Sequence, residues 1–273
     1  MSSAHITDCA QHASLDAAVN DLLVLWQHPE SRQIHPIGRF SYDGEVFTFS
    51  YTRHAHNIPD FRPLPGLALD GVAYQGTRMP TLFQQRTMSP SRPDFDAVMQ
   101  HLGIAPRDAT PWEQIVHSGG HRAGDTLQFM ELPSVAAGHV HARFLTNGIR
   151  HIPNGTTRIL NGASFQVSAE EQERALGSLS FGDELCLLLE SDNPKDPNAV
   201  VVEHSGVPLG WVPRILSTGV RELIERGQHV RATVHRIADS SAPPHVRLVV
   251  DLDAEAPIGF TFDASGNWEP YRI

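Results

Sequence analysis

Cysteine, lysine and long apolar runs are what this chain has least of, and each scarcity removes a class of function. Only Cys9 and Cys186 occur in 273 residues. Two thiols build neither a disulfide framework nor a cysteine zinc site, so a reducing, cytoplasmic setting is expected. Among 21 basic residues the one lysine is Lys195, inside Asn-Pro-Lys-Asp-Pro. A phosphate-gripping P-loop needs Gly-Lys-Ser/Thr, and kinase sites and most nuclease sites need a lysine at a set place. Neither ATP hydrolysis nor metal-dependent cleavage is therefore expected, and no cofactor. No apolar stretch nears the ~20 residues of a membrane helix, and the opening MSSAHITDCAQHASLD lacks a basic region followed by an apolar one. Neither a membrane association nor a secretory leader is expected.

Charge of the positive sign is also short. The 31 acidic residues leave a formal net charge of −10, the wrong sign for coating polyphosphate without regard to sequence. That balance is compatible with a local site of arginine and aromatic groups. With 40% apolar and 19% charged residues, the composition is that of a globular chain rather than a disordered one.

What is present divides into two halves. Residues 14–26 read as an amphipathic helix capped by Ser14, with Leu15, Val19, Leu22, Leu23 and Trp26 on one face. Asp43-Gly44 is a two-residue hairpin signal between strands at Gly38–Tyr42 and Glu45–Tyr51. Loops fill Pro59 to Pro80. Helices follow at Asp94–Gly103 and, from the Thr110-Pro111-Trp-Glu113 cap, to Gly119-Gly120. The second half is strand-rich: His139–Leu145, Asp183–Glu190, Asn198–Glu203, Leu209–Val212, His229–Ile237 and His245–Leu252. The last alternates Val246, Leu248, Val250 and Leu252 inward with His245, Arg247, Val249 and Asp251 outward. A helix capped by Ser168 and Glu171, and another along Leu216, Val220, Leu223 and Ile224, interrupt the strands.

The passage that carries most chemistry is Leu187-Leu-Leu-Glu-Ser-Asp-Asn-Pro-Lys-Asp-Pro-Asn-Ala-Val-Val-Val202, followed by Gly206-Val-Pro-Leu-Gly-Trp-Val-Pro-Arg214. A buried strand enters a tight Asn-Pro-x-Asp turn and returns; the next strand ends at Trp-Val-Pro-Arg before a helix. On chemistry alone, Asn and Asp in such a turn satisfy the backbone amides around them.

This passage resembles the HIRAN domain over roughly residues 139–253. The resemblance implies an OB-like barrel that binds the 3′ end of single-stranded DNA without performing chemistry. Bases stack there on aromatic groups beside an arginine, and polar groups of the turn hold the terminal sugar and phosphates. It places Asn193 and Asp196 at the turn positions that reach the DNA end, Trp211 after the glycine and Arg214 before the helix. Arg143 and Phe144 come from the first strand, where Leu145 replaces an aromatic and removes a stacking surface worth ~1–3 kcal/mol per base. Alternation puts Phe144 on the face of Val140 and Ala142, opposite Arg143. In the first half, Ile37-Gly-Arg-Phe-Ser-Tyr42, Phe47-Thr-Phe-Ser-Tyr51 and Leu64-Pro-Gly-Leu67 resemble the N-terminal subdomain of HipA-type toxins, which implies a protein-contact module without a kinase.

The expectation is thus an α+β protein. An N-terminal α+β adaptor (1–136) precedes an OB-like six-stranded β-barrel with two helices (137–253) and a C-terminal tail (254–273). Its expected role is non-catalytic recognition of single-stranded DNA ends in repair, processing or phage defence, beside a helicase, nuclease or HipA-like partner. The alternative is an interaction or antitoxin-like partner of a HipA-type system, with a structural barrel. Among the 16 histidines, His54 with His56 and His139 with His141 each place two imidazoles on one side of a strand, but zinc needs further ligands and none is expected. His117 with Ser118, or His121 with Asp125, lack the fixed nucleophile–base spacing of a catalytic pair. Arg86, Arg92 and Arg122 are read mainly as solvated arginines.

Overall fold

The run Leu22-Leu-Val-Leu25 sets the middle of the molecule. A computed structural model describes residues 20–122, 124 and 126–273. The run lies in a strand, β1 (Asp21–Gln27), which corrects the expected helix over 20–26; Ser14, Leu15 and Val19 fall outside the described residues. The cause is burial on both sides. Leu22 and Val24 enter a core with Phe40, Phe49, Phe83 and Trp112, while Leu23 and Leu25 enter another with Val140, Phe144 and Val250. Full burial stabilises each such side chain by ~1.5–3 kcal/mol, against at most ~0.7 kcal/mol per residue of helix propensity. Burial wins.

Around β1 an antiparallel sheet forms in the order β4-β3-β2-β1-β5, from β2 (Ile34–Tyr42), β3 (Phe47–Tyr51), β4 (Tyr74–Gly76) and β5 (Leu127–Glu131). Tyr42 pairs with Phe47, so the connection is the four residues 43–46 rather than Asp43-Gly44 alone. Asp43 closes it by accepting the amides of Glu45 and Val46 at 2.9 and 2.7 Å. Four short helices connect these strands: α1 (Arg53–Asn57), α2 (Thr81–Gln84), α3 (Phe95–His101) and α4 (Pro111–Ser118). Thr110 caps α4 by accepting the Glu113 amide, as its sequence predicts.

The chain crosses to the second sheet through β6 (Ser134–Ala136) and β7 (His139–Leu145). Ala137 and Gly138 join them at φ of 50° and 79°, the left-handed pair that a two-residue hairpin turn demands. The remaining elements are β8 (Thr157–Arg158), β9 (Ser164–Phe165), α5 (Ala169–Ser178), β10 (Glu184–Leu189), β11 (Val200–His204), β12 (Val207–Trp211), α6 (Arg214–Glu225), β13 (Val230–Ile237) and β14 (Leu248–Glu255). α5 carries the full capping box of Ser168 and Glu171.

In place of the expected OB-like six-stranded barrel, closed or nearly so, stands an open antiparallel sheet of seven strands, in the order β12-β11-β10-β13-β14-β7-β6. Its far sides are bridged where Asn147 and Trp211 exchange two N–H···O bonds of 2.8 Å. Gly148, at φ of 70°, then turns the chain into the 3-10 helix Ile149–Asn154, and Pro213 has no N–H to extend the ladder. One bridge does not close a barrel. The strand expected over His245–Leu252 begins only at Leu248, because Pro244–Val246 form a 3-10 helix, and two of its expected outward positions turn inward. Arg247 and Val249 are buried, with Arg247 held by Glu173 of α5 at 2.6 and 2.9 Å.

After β14 the chain returns to the first sheet. Phe260 and Trp268 enter the second core, and the amides of Arg53 and Tyr271 donate to Glu269 and Tyr51 at 2.9 and 2.7 Å. Among the described residues no helix is long and apolar enough to cross a membrane.

Candidate nucleic-acid interface

The turn between β10 and β11 builds itself from its own polar side chains. Asn193 Oδ1 accepts the amides of Lys195 and Asp196 at 2.9 and 3.1 Å. Its Nδ2 donates to Glu190 Oε2 at 2.7 Å. The same carboxylate oxygen accepts the indole N–H of Trp211 at 2.6 Å. Asp196 accepts the Asn198 amide at 2.9 Å on one oxygen and the Ser217 hydroxyl at 2.8 Å on the other. Three elements are thereby locked: the turn, the end of β12 and the first turn of α6. Glu190, buried at the hub, is a residue that sequence reasoning missed. Its signal was a lone acid ending the apolar run Leu187-Leu-Leu189.

Trp211 is half-buried, and Gly148 lies close against its six-membered ring. A Cβ at Gly148 would come within 2.6 Å of Trp211 Cε3, and the positive φ there already favours glycine. Arg143 grips Asp251 on the neighbouring strand through Nε–Oδ1 at 2.6 Å and Nη2–Oδ2 at 3.2 Å, and His235 Nδ1 sits 3.0 Å from the latter oxygen. Burial alone would raise the Asp251 pKa, but the hydrogen bonds from His235 and Arg143 outweigh it and hold the group at about 2. Phe144 is buried in the core with Val140 and Ala142, on the side its alternation indicates, so its ring offers no stacking surface. That corrects its place among the candidate contacts. Arg214, the first residue of α6, is exposed, and its side chain has no hydrogen bond or ion pair among the described residues.

All six of these positions border one groove of about 1410 Å³, walled by both halves of the chain. Its charge runs against that of the whole protein. Arg32 and Arg122 reach it from the first half; Arg143, Arg150, Lys195, Arg214 and Arg236 from the second. The carboxylates that line it are Glu113, Glu131 and Asp196. A third of the basic residues thus meet a tenth of the acidic ones. Arg236 is tied down: it donates to the carbonyls of His101 and His117, and burial brings its pKa down to about 10. It bolts β13 to the helices of the first half.

Elsewhere the sequence-picked groups disperse. His54 and His56 sit on α1 rather than a strand; His54 is 2.9 Å from His35, and His56 stacks on Tyr271. His141 pairs with Asp253 at 2.9 Å. Among the described residues no group of three or more His, Cys, Asp or Glu side chains is placed to hold a metal. Ser118 donates to the Gln114 carbonyl while His117 Nδ1 meets that of Leu102, so the two do not form a pair. Asp125 and Cys9 lie outside the described residues. Arg86 bonds the Gly120 carbonyl at 3.0 Å and Arg92 forks onto Asp94, leaving Arg122 as the one of these three arginines that lines the groove.

Comparison with known proteins agrees with part of this reading. The family model of the HIRAN domain matches residues 154–253. That span holds Asn193, Asp196, Trp211 and Arg214 but begins after β7, the strand of Arg143 and Phe144. Two solved structures are similar. A protein from Lactobacillus plantarum is 18% identical, with a TM-score of 0.32, over 44% of this chain and 100% of its own. The HIRAN domain of human HLTF is 13% identical, with a TM-score of 0.30, over 50% of this chain and 93% of its own. No curated protein matches. The HipA-type resemblance of the first half is not shown by these comparisons.

Proposed function

We propose that the groove binds the end of a single-stranded nucleic acid and performs no chemistry on it. The observation that carries this reading is the segregation of charge: a chain of net −10 gathers seven arginine and lysine residues and three carboxylates in one groove. Phosphates are the ligands that such a surface recognises. The match of residues 154–253 to the HIRAN domain supports a DNA strand, and by family resemblance its 3′ end. Trp211 supplies one aromatic wall, and Leu145 stands where a second would be. Base contacts are therefore few, and the groove's cations carry most of the affinity. Such a module serves repair, processing or phage defence by presenting an end to a helicase or nuclease.

The test is a fluorescence titration at low salt, using single strands with free and with phosphate-blocked 3′ ends, and a closed circular single strand. Tighter binding of the free end than of the circle supports the reading. Equal binding of all three, or none, overturns it.

A further inference from the structure

Four loops bring Arg150, Lys195 and three histidines together in this groove, and of these only Lys195 belongs to the Asn193–Arg214 passage. Arg150 and His151 lie on the 3-10 helix after β7, and Lys195 on the turn between β10 and β11. His245 lies on the 3-10 helix before β14, and His121 follows α4 in the first half. The rings of His121 and His245 are 4.7 Å apart, and Arg150 Nε is 3.2 Å from His151 Nε2.

These groups repel one another when charged. The atoms packed around His245 in the groove strip its hydration, and the neighbouring His121 and Arg150 add to this, so its pKa falls to about 4. His151 is lowered in the same way, by lost hydration first and then by Arg150 and Lys195. Among the described residues no carboxylate pairs with Arg150, His151, Lys195 or His245, although 31 acids are available in the chain. His245 therefore stands uncharged beside Arg150 at neutral pH, and an anion that enters offsets the arginine's charge and favours a proton on His245.

We infer that this cluster binds the phosphodiester backbone of the strand inward of its end and leads it from the HIRAN-matched sheet onto the N-terminal half. The inference rests on the end-binding reading and extends it. Position supplies the direction. Arg150 follows Gly148, which lies against the Trp211 ring, so a strand passing that ring meets Arg150 next. His121 then carries the path past the first half's helix α4. The N-terminal half is thus a wall of the site rather than a separate adaptor.

The experiment compares a dinucleotide with a strand of roughly eight nucleotides, a length within the usual range for one such site. Both are titrated against wild type and against the Arg150→Gln, His245→Gln double variant. The expected result is a loss of about tenfold for the longer strand, with a salt slope shallower by about 0.7 for each phosphate interaction removed, and a clearly smaller loss for the dinucleotide. In NMR titrations the His245 pKa should rise when the longer strand is bound and stay put with the dinucleotide. If the double variant fails to fold, Lys195→Gln, on an exposed side chain, takes its place with about half the slope change. Length-independent binding by wild type, or an equal loss for both ligands, overturns the inference while leaving end binding intact. Competition by pyrophosphate together with an unaffected longer strand overturns it in favour of a small-anion site. Failure of wild type to bind either strand removes both readings.

Discussion

Two regions border the same groove and use their polar groups in opposite ways. In the turn from Glu190 to Asn198, the asparagine and aspartate of the motif are answered by neighbours: Asn193 by Glu190 and two backbone amides, Asp196 by Asn198 and Ser217. In the Arg150–His245 region, Arg150 meets the neighbouring His151, and the charges nearest His245 are those of His121 and Arg150. Within the motif, Asn193 and Asp196 therefore shape the site, while Lys195 and Arg214, like Arg150 outside it, present exposed charge to the groove. Side chains fixed by internal hydrogen bonds sit in one contiguous turn, which makes their pattern legible in sequence; the groups around His245 come from separate loops.

The comparison breaks most plainly at Phe144, which resemblance puts in the site and geometry puts in the core. Phe144→Ala should cost about 3–5 kcal/mol, the range for removing a large aromatic from a packed interior. Urea denaturation gives the number. A change below about 1 kcal/mol, small against that range, with a clear loss of oligonucleotide binding, would return the ring to the groove.

Asp196→Ala comes next. It removes two hydrogen bonds to a charged acceptor, each worth ~1.5–3 kcal/mol in favourable settings, and frees the turn from α6. A destabilisation of about 2–3 kcal/mol is expected, with weaker strand binding as a consequence. Full stability with lost binding would make Asp196 a direct contact and dissolve the contrast between the two regions.

A slightly smaller effect concerns Asp251 beneath Arg143. Its folded pKa of about 2 lies below its unfolded value of 3.8, so the unfolded chain takes up more protons between these values and stability rises with pH there. The contribution, about 2 kcal/mol, is complete above about pH 4 and is lost as pH falls towards about 2. Asp251→Asn should flatten the acid limb of the unfolding free energy. An unchanged limb would mean that the pair with Arg143 and His235 is not formed in solution.

How much of this was legible beforehand depends on where the determining information lies. Local patterns held up: β7 has the bounds its alternation predicts, α4 and α5 have their predicted caps, and Phe144 faces the way its neighbours Val140 and Ala142 indicate. The strand at Leu22–Leu25 was hidden because four apolar residues in a row fit a helix face or a strand buried on both sides, and only the layer packed on each face decides between them. The open sheet was hidden because closure depends on whether one bridge at Asn147 grows into a ladder. The turn, Trp211 and Arg214 were found through a contiguous motif. Arg150, His121 and His245 were not, since they come from three loops separated by up to 124 positions in sequence and share no periodicity.

The smallest effect on stability belongs to Arg214, and it isolates the binding surface best. The side chain is exposed at the start of α6, has no hydrogen bond or ion pair among the described residues, and acts on its surroundings mainly through charge, adding to the burial, His54 and His28 effects that lower the His35 pKa. Its position at a helix N-terminus, where the backbone already presents positive partial charge, means that nothing in the fold favours a cation there. Arg214→Ala should therefore leave stability within about 0.5 kcal/mol, as for surface changes away from structural features, or improve it slightly. Binding is the quantity expected to move. Removing one cation that neutralises a phosphate of a single strand makes the slope of log K against log salt shallower by about 0.7. A dinucleotide end and a longer strand should both register it, in contrast to the Arg150→Gln, His245→Gln pair. Arg214→Lys keeps the charge and should recover most of the slope, because salt dependence counts charges rather than hydrogen-bond geometry. If Arg214→Ala binds both strands with wild-type affinity and slope, the cation before α6 touches no phosphate, and the end would have to be held by the Trp211 side of the groove alone.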